Sequence, residues 1–181
     1  RWFLATVLLP ENATDESLVE SIFDSITEAG KEIGVALCGG HTEVTVGLDR
    51  PIVVGQMLGE VSKDKLVQSA NLVPGDSILL TKGLGIEATA ILAHEKAEAL
   101  KAQGISLNLL ARAAQYLHNP GISVLNEARI ACQTASVHAM HDPTEGGVAT
   151  ALSELARAAN VGLSIEADQL FASDETRTLC D

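Results

Sequence analysis

Seven consecutive residues, His141-Asp142-Pro143-Thr144-Glu145-Gly146-Gly147, have the types and spacing to hold a phosphate through a metal ion. Gly146 and Gly147 stand at the start of a helical pattern, where each costs about 1 kcal/mol relative to alanine. Glycines there let a ligand approach the backbone, and the free N–H groups of a helix N-terminus suit an anion such as phosphate. The Asp142 carboxylate would repel that anion unless a cation sits between them. The same residues have a plain reading. Asp142 fits the N-cap, Pro143 the first helical position and Glu145 the third, a capping box that starts a helix with no ligand at all.

A second stretch, Gly39-Gly40-His41-Thr42-Glu43, interrupts a strand pattern with residues that accept unusual backbone angles. It reads either as a β-bulge or as backbone passing close to a ligand, with His41 and Glu43 flanking it. Lys82-Gly83-Leu84-Gly85 lacks the spacing of a Walker-type phosphate loop and follows no dinucleotide fingerprint, so alone it reads as a loop. Cys38 with His41, and His138 with His141, have zinc-like intervals. Residues three apart on extended strands point to opposite faces, which speaks against convergence. His94 and His118 fall on helical patterns as ordinary boundary histidines. No Gly-x-Ser-x-Gly elbow occurs, which sets aside a serine hydrolase.

The elements that must position these residues follow from periodicity. Trp2 to Leu9 is an apolar run closed by Pro10 and reads as a buried strand. Asn12 or Thr14 can cap a helix with Leu18, Ile22, Ile26 and Ile33 on its buried side and Gly34 at its end. Val35 to Cys38 is a strand, broken by Gly39-Gly40 and resumed from Thr42 to Val46. Pro51 to Glu60 returns as a strand after a turn over Gly47 to Arg50. This predicts a mixed sheet with one helical face. Polar residues from Ser62 lead to Pro74-Gly75-Asp76, which places two domains at 1–72 and 73–181. In the second, a strand is expected over Ser77 to Thr81, a helix to about Ala102, and a helix over Leu107 to Leu117. After the break at Asn119-Pro120-Gly121, a helix is expected over Ile122 to Cys132 and a strand over Ser136 to Met140. The helix opened by Asp142 presents Val148, Leu152, Leu155, Ala156 and Ala159 on one face. A strand over Leu163 to Ile165 and a helix over Asp168 to Asp181 follow.

Composition narrows the class. The 181 residues, 46% hydrophobic with only 3% aromatic, describe an aliphatic α/β protein with enough chain for a core. Twelve basic against 24 acidic residues give a net charge of −12, which argues against nucleic acid and anionic membranes as partners. Any nucleotide would then depend on metal ions or backbone donors. Three widely spaced cysteines point to a reducing cytoplasm, and no apolar run approaches a membrane span. The opening at Arg1-Trp2-Phe3 and the close at Cys180-Asp181 both read as cut ends.

Gly39-Gly40-His41-Thr42-Glu43-Val44, followed about a hundred residues later by Asp142-Pro143-Thr144-Glu145-Gly146-Gly147, together resemble the AIR synthase-related (PurM-like) superfamily. Its members include AIR synthetase, selenophosphate synthetase, thiamine-monophosphate kinase and HypE-type hydrogenase-maturation proteins. Pro74-Gly75-Asp76 with Leu79-Leu80-Thr81-Lys82-Gly83-Leu84-Gly85 is similar to the segment that opens the second domain of that superfamily. The resemblance implies an N-terminal α/β domain that pairs about a two-fold axis into a barrel, beside a C-terminal α/β domain. It implies ATP and Mg²⁺ as cofactors and a small-molecule or protein substrate; the apolar strands Trp2 to Leu9 and Pro51 to Leu58, with one substantial helix to cover them, predict a homodimer mainly through residues 1–61. By the same resemblance Gly39, Gly40, His41 and Thr42, with Gly146, Gly147 and Lys82, would contact nucleotide, and Asp142 and Glu43 would hold the metal. The implied chemistry is phosphoryl transfer from ATP onto a carbonyl or amide oxygen. The alternative is a catalytically silent, dimeric binding or maturation scaffold. Gly-Gly-His-Thr departs from the Gly-Gly-Asp-Thr and Gly-Gly-Glu-Thr forms of several members. That departure places the chain with the AIR synthase-related group at large and leaves the acceptor open.

Overall fold

The computed structural model describes residues 1–180, which divide into two compact units, Arg1–Leu66 and Val67–Asp181.

The first unit is a three-stranded mixed sheet carrying one α-helix. Strand β1 (Trp2–Pro10) lies in the centre, parallel to β2 (Ala36–Thr45) and antiparallel to β3 (Ile52–Leu58). Helix α1 (Glu16–Ile33) makes the crossover between the parallel pair. Its cap is Asp15, whose side chain accepts the Leu18 N–H, rather than Asn12 or Thr14. Thr14 instead donates its hydroxyl back to the Pro10 carbonyl. Gly34 ends the helix in the left-handed region at φ 70°, as its position predicts. Leu18, Val19, Ile22, Phe23 and Ile26 pack on Phe3, Ala5, Val7 and Leu9, so β1 buries its odd-numbered face under α1. The even-numbered face has no helix on it, which makes β1 a half-covered strand rather than one buried on both sides.

Strand β2 runs unbroken through Gly39-Gly40. The irregularity lies one residue earlier, where Phe3 pairs with Leu37 and Leu4 with Gly39, so Cys38 is the extra residue of a β-bulge.

The second unit is helical: α2 (Ile86–Glu95), α3 (Ala97–Ala102), α4 (Leu107–Ala114), α5 (Leu125–Thr134), α6 (Gly147–Ala159) and α7 (Asp174–Cys180). The single helix expected up to Ala102 is interrupted at Lys96, where φ −120° and ψ 15° leave the helical basin. Helix α5 starts three residues later than its pattern suggests, and α7 replaces a longer helix expected from Asp168. The end of that expectation, Asp181, lies outside the described residues. The stretches 77–81, 136–140 and 163–165 form no ladder. A strand needs a paired ladder of backbone hydrogen bonds, and none is formed there, although His138 reaches Asp76 at 2.9 Å; Leu79 is 89% exposed. The core of this unit is Ala93, Leu110, Ala113 and Leu179, bringing α2, α4 and α7 together.

Candidate functional site

Gly146, not Asp142, is the N-cap of α6. Its φ of 76° and ψ of 1° turn the chain sharply, and no side chain caps the helix. The capping box expected from Asp142, Pro143 and Glu145 therefore does not form. Those residues make a tight turn in which the Asp142 carbonyl accepts the Thr144 N–H at 2.9 Å and the Thr144 carbonyl accepts the Gly147 N–H at 3.1 Å. Two consequences follow. The first-turn N–H groups of α6 beyond Gly147 lack a side-chain acceptor. The Asp142 carboxylate, 68% exposed, is released from any capping duty. The two glycines differ. A Cβ on Gly146 would lie 2.2 Å from Thr150 Oγ1, so its own helix demands glycine there, whereas a Cβ on Gly147 would meet nothing within 4 Å. The backbone at Gly147 is thus open to an approaching group.

His141 ties this turn to the helix. Its Nδ1 donates to the Asp142 carbonyl at 3.0 Å and its Nε2 to Glu154 Oε2 on α6 at 2.7 Å. Both partners only accept, so the two bonds together require a proton on each ring nitrogen. Glu154 first, then the Asp142 carbonyl, raise the pKa of His141 above its ordinary 6.5.

Lys82 has a left-handed backbone, φ 63°, and a side chain only 13% exposed. Its ammonium lies 2.8 Å from the Gly121 carbonyl and 3.1 Å from Glu127 Oε1, and also donates to the Ser123 carbonyl. Three donors thus meet three acceptors. Glu127 is held below the usual carboxylate range by its own backbone N–H and then by Lys82. The following residues are fixed by the chain's own packing: a Cβ on Gly83 would lie 2.8 Å from the Phe171 ring, one on Gly85 2.9 Å from Thr176, and the Leu84 N–H donates to the Phe171 carbonyl. The loop is braced at both ends.

In the first unit, Gly40 has φ 145°, and a Cβ on it would lie 1.9 Å from the Ala5 carbonyl oxygen. The close approach that requires glycine there is to β1. Gly39 is different, since an added Cβ would make an ordinary 3.6 Å contact with Leu4. An open cleft of about 330 Å³ is lined by Gly39, Gly40, His41 and Thr42 on one side and Ala5, Phe23 and Leu37 on the other. His41 and Glu43 form an exposed pair at 3.5 Å.

The residues singled out for metal binding find other partners. Cys38 Sγ lies 3.5 Å from the Phe3 carbonyl, His41 pairs with Glu43, and His141 with Glu154. His138 Nδ1 sits 2.9 Å from both oxygens of Asp76. Among the described residues no three of His, Cys, Asp and Glu gather into a metal site, and Asp142 and Glu43 belong to different units. Asp142 suits Mg²⁺ as one ligand beside phosphate oxygens, the usual mode for that ion, and not as part of a protein cage.

Three features escaped the sequence. The Asp76–His138 pair spans 62 positions. Glu154 pairs with His141 across a turn and two helical turns. Glu175 on α7 accepts from Arg112 Nε at 2.6 Å and from the Tyr116 hydroxyl at 2.9 Å, and Arg112 is the main cause that lowers its pKa. His138, His141 and Asp76 each stood in a stretch the sequence singled out, but nothing in it paired them with these partners.

Comparison with known proteins now adds to this geometry. The family model described as AIR synthase related protein, C-terminal domain, matches residues 73–179, and that of the N-terminal domain matches residues 1–61. A putative hydrogenase expression/formation protein of Methanocaldococcus jannaschii is 31% identical over 97% of this chain and 49% of its own length. Thiamine-monophosphate kinase of Pyrococcus horikoshii is 29% identical over 98% of this chain and 51% of its own. The chain thus spans about half the length of the curated relatives it matches. The crystal structure of a hydrogenase maturation protein HypE in complex with ATP superimposes with a TM-score of 0.71, covering 99% of this chain and 50% of that one at 22% identity.

Proposed function

The chain belongs to the AIR synthase-related family, with the PurM-like α/β fold, and from that premise we propose that the protein carrying it is an ATP- and Mg²⁺-dependent enzyme. It transfers a phosphoryl group onto an oxygen of a small-molecule or protein acceptor. The observation that carries this reading is the turn before α6, with its uncapped helix N-terminus, open backbone at Gly147 and exposed Asp142 carboxylate, whose charged neighbour is His141 Nδ1 at 3.9 Å. That combination offers donors to phosphate and one hard ligand to the cation that accompanies it. The ATP complex of a HypE with this fold and the kinase activity named for the Pyrococcus relative support it.

Within this reading Asp142 is a Mg²⁺ ligand and Gly146 and Gly147 shape the phosphate contact. Gly39, Gly40, His41 and Thr42 line the nucleotide cleft of the first unit, and Glu43 is that unit's own metal ligand. Lys82 would reach a nucleotide only by giving up one of its three acceptors. Bound Mg²⁺ supplies charge neutralisation at the phosphates; the chain's own residues supply position. The active form is a homodimer built through the first unit.

A catalytically silent scaffold is the second reading, favoured by the lack of a three-ligand metal set among the described residues. Calorimetric titration of the full-length protein with ATP, with and without Mg²⁺, separates the two. Saturable, Mg²⁺-dependent binding with slow ADP formation is expected of the enzyme. Binding that ignores Mg²⁺, with no ADP formed, would favour the scaffold.

A further inference from the structure

His41 and Glu43 stand two residues apart on β2, so both side chains leave the same side of the strand. Register with β1 sets them beside Thr6 and Leu8, on the sheet face away from α1 and at the sheet's edge. Positions two apart on a strand are separated by about 6.6 Å. His41 Nε2 nevertheless lies 3.5 Å from Glu43 Oε2, so the two side chains lean together. They stop short of a hydrogen bond, which needs about 2.7–3.2 Å between N and O. His138 and His141 meet their carboxylates inside that range, at 2.9 and 2.7 Å.

The gap matches the bite of a small cation. Two ligands of a tetrahedral ion, with metal–nitrogen and metal–oxygen bonds of about 2.0–2.2 Å, stand about 3.4 Å apart. Adjacent ligands of octahedral Mg²⁺, at about 2.1 Å, stand only about 3.0 Å apart. An imidazole nitrogen beside a carboxylate oxygen also suits a borderline ion such as zinc, whereas Mg²⁺ takes oxygen. The strand beneath is fixed, since Gly40 packs against the Ala5 carbonyl one residue before His41. Both side chains are more than half exposed, which leaves the other coordination positions open. His41 also belongs to the lining of the cleft of about 330 Å³ that Gly40 and Thr42 share. Cys38, three residues earlier, is turned to the Phe3 carbonyl instead.

We propose that His41 and Glu43 together hold a borderline divalent cation, zinc in kind, with water or an anionic oxygen in its two open positions. This rests on the reading above that makes Glu43 a metal ligand, and it names the second ligand and the ion. The two units then differ in the cation they take, an oxygen-bound Mg²⁺ at Asp142 and a partly nitrogen-bound ion at His41.

The test uses untagged, nucleotide-free, full-length protein in excess Mg²⁺, titrated with Zn²⁺ by calorimetry and with Co²⁺ as an optical probe. Wild type should take up Zn²⁺ despite the Mg²⁺, and the nitrogen-15 resonance of His41 Nε2 should shift as it does. His41→Gln and Glu43→Gln, both at exposed positions, should each weaken Zn²⁺ by more than about ten-fold, the least that loss of even a supporting partner costs a metal site. Cys38→Ser should bind as wild type does. Undiminished Zn²⁺ affinity in His41→Gln, loss of it in Cys38→Ser, or a wild type that takes no Zn²⁺ over Mg²⁺ overturns the proposal. ATP titration of the same proteins reads the nucleotide separately. Protein that binds ATP but no Zn²⁺ overturns this site alone. Protein that binds Zn²⁺ through His41 but no ATP supports the site and overturns the nucleotide reading.

Discussion

Asp142 is the residue on which the structure most changes the argument. As a helix cap it would tolerate asparagine, which caps about as well as aspartate; as a metal ligand it would not. The structure removes the capping role, since α6 begins at Gly147. Asp142→Asn should therefore leave the melting temperature of the free protein unchanged and weaken Mg²⁺-dependent ATP binding by more than about ten-fold, the scale of a lost hard-anion ligand. Calorimetry with and without Mg²⁺ reads both sides, and unchanged binding would remove Asp142 from the metal. His141 gives a pH-dependent counterpart. Its pKa is raised in the folded state above 6.5, so its bond to Glu154 stabilises fully below that pH and the contribution fades as pH rises through the raised value. The melting-temperature gap between wild type and Glu154→Gln should be widest near pH 6, about half a unit below that ordinary value, and close in alkaline buffer. A gap that widens with pH would contradict the pairing.

At the scale of elements, the adjacent glycines of β2 separate packing from ligand approach. Gly40→Ala drives a Cβ into the Ala5 carbonyl on the central strand and should cost more than about 3 kcal/mol in denaturant unfolding. Gly39→Ala meets only Leu4 and should leave stability nearly unchanged. If nucleotide approaches β2 at all, Gly39→Ala is the variant whose ATP affinity falls without a loss of fold. What the sequence made legible divides along the same line. The β1–α1–β2–β3 order came through because each element announces itself locally: an apolar run, a 3.6-residue stripe, a left-handed glycine at Gly34. The glycine pairs were visible as exceptions, but their causes were not, since Gly40 answers to Ala5, and Gly83 to Phe171. The stretch 136–140 reads as a strand by side chain, but its backbone forms no ladder. Asp142 matched every residue preference of a cap and lost to the φ of Gly146, which local preference does not express.

For the molecule as a whole, the proposed dimer rests on the open face of the first sheet. Pairing in register puts Leu8 beside Ile52, Thr6 beside Val54 and Trp2 beside Leu58, all on the side of β1 away from α1. Trp2, Ile52, Val54 and Leu58 are all exposed there. Gln56 opposite Leu4 and Thr6 opposite Val54 interrupt this mostly apolar face, which a second copy would cover with like residues. Light scattering of the full-length protein should give a dimer at tens of micromolar, by the usual concentration scale of obligate dimers. Val54→Lys, at a position 56% exposed, should give a folded monomer. A wild-type monomer would rule this interface out.

The late position of α7 shapes how the second unit is made. Leu179 closes the core on Ala93, Leu110 and Ala113, Ser173 and Thr176 join Thr89 in a run of hydroxyls ending at the Gly85 carbonyl, and Glu175 clasps Arg112 and Tyr116. All these partners leave the ribosome long before Phe171 does. Until α7 is made, Ala93, Leu110 and Ala113 lack Leu179, and that open cluster is a surface chaperones and proteases would meet.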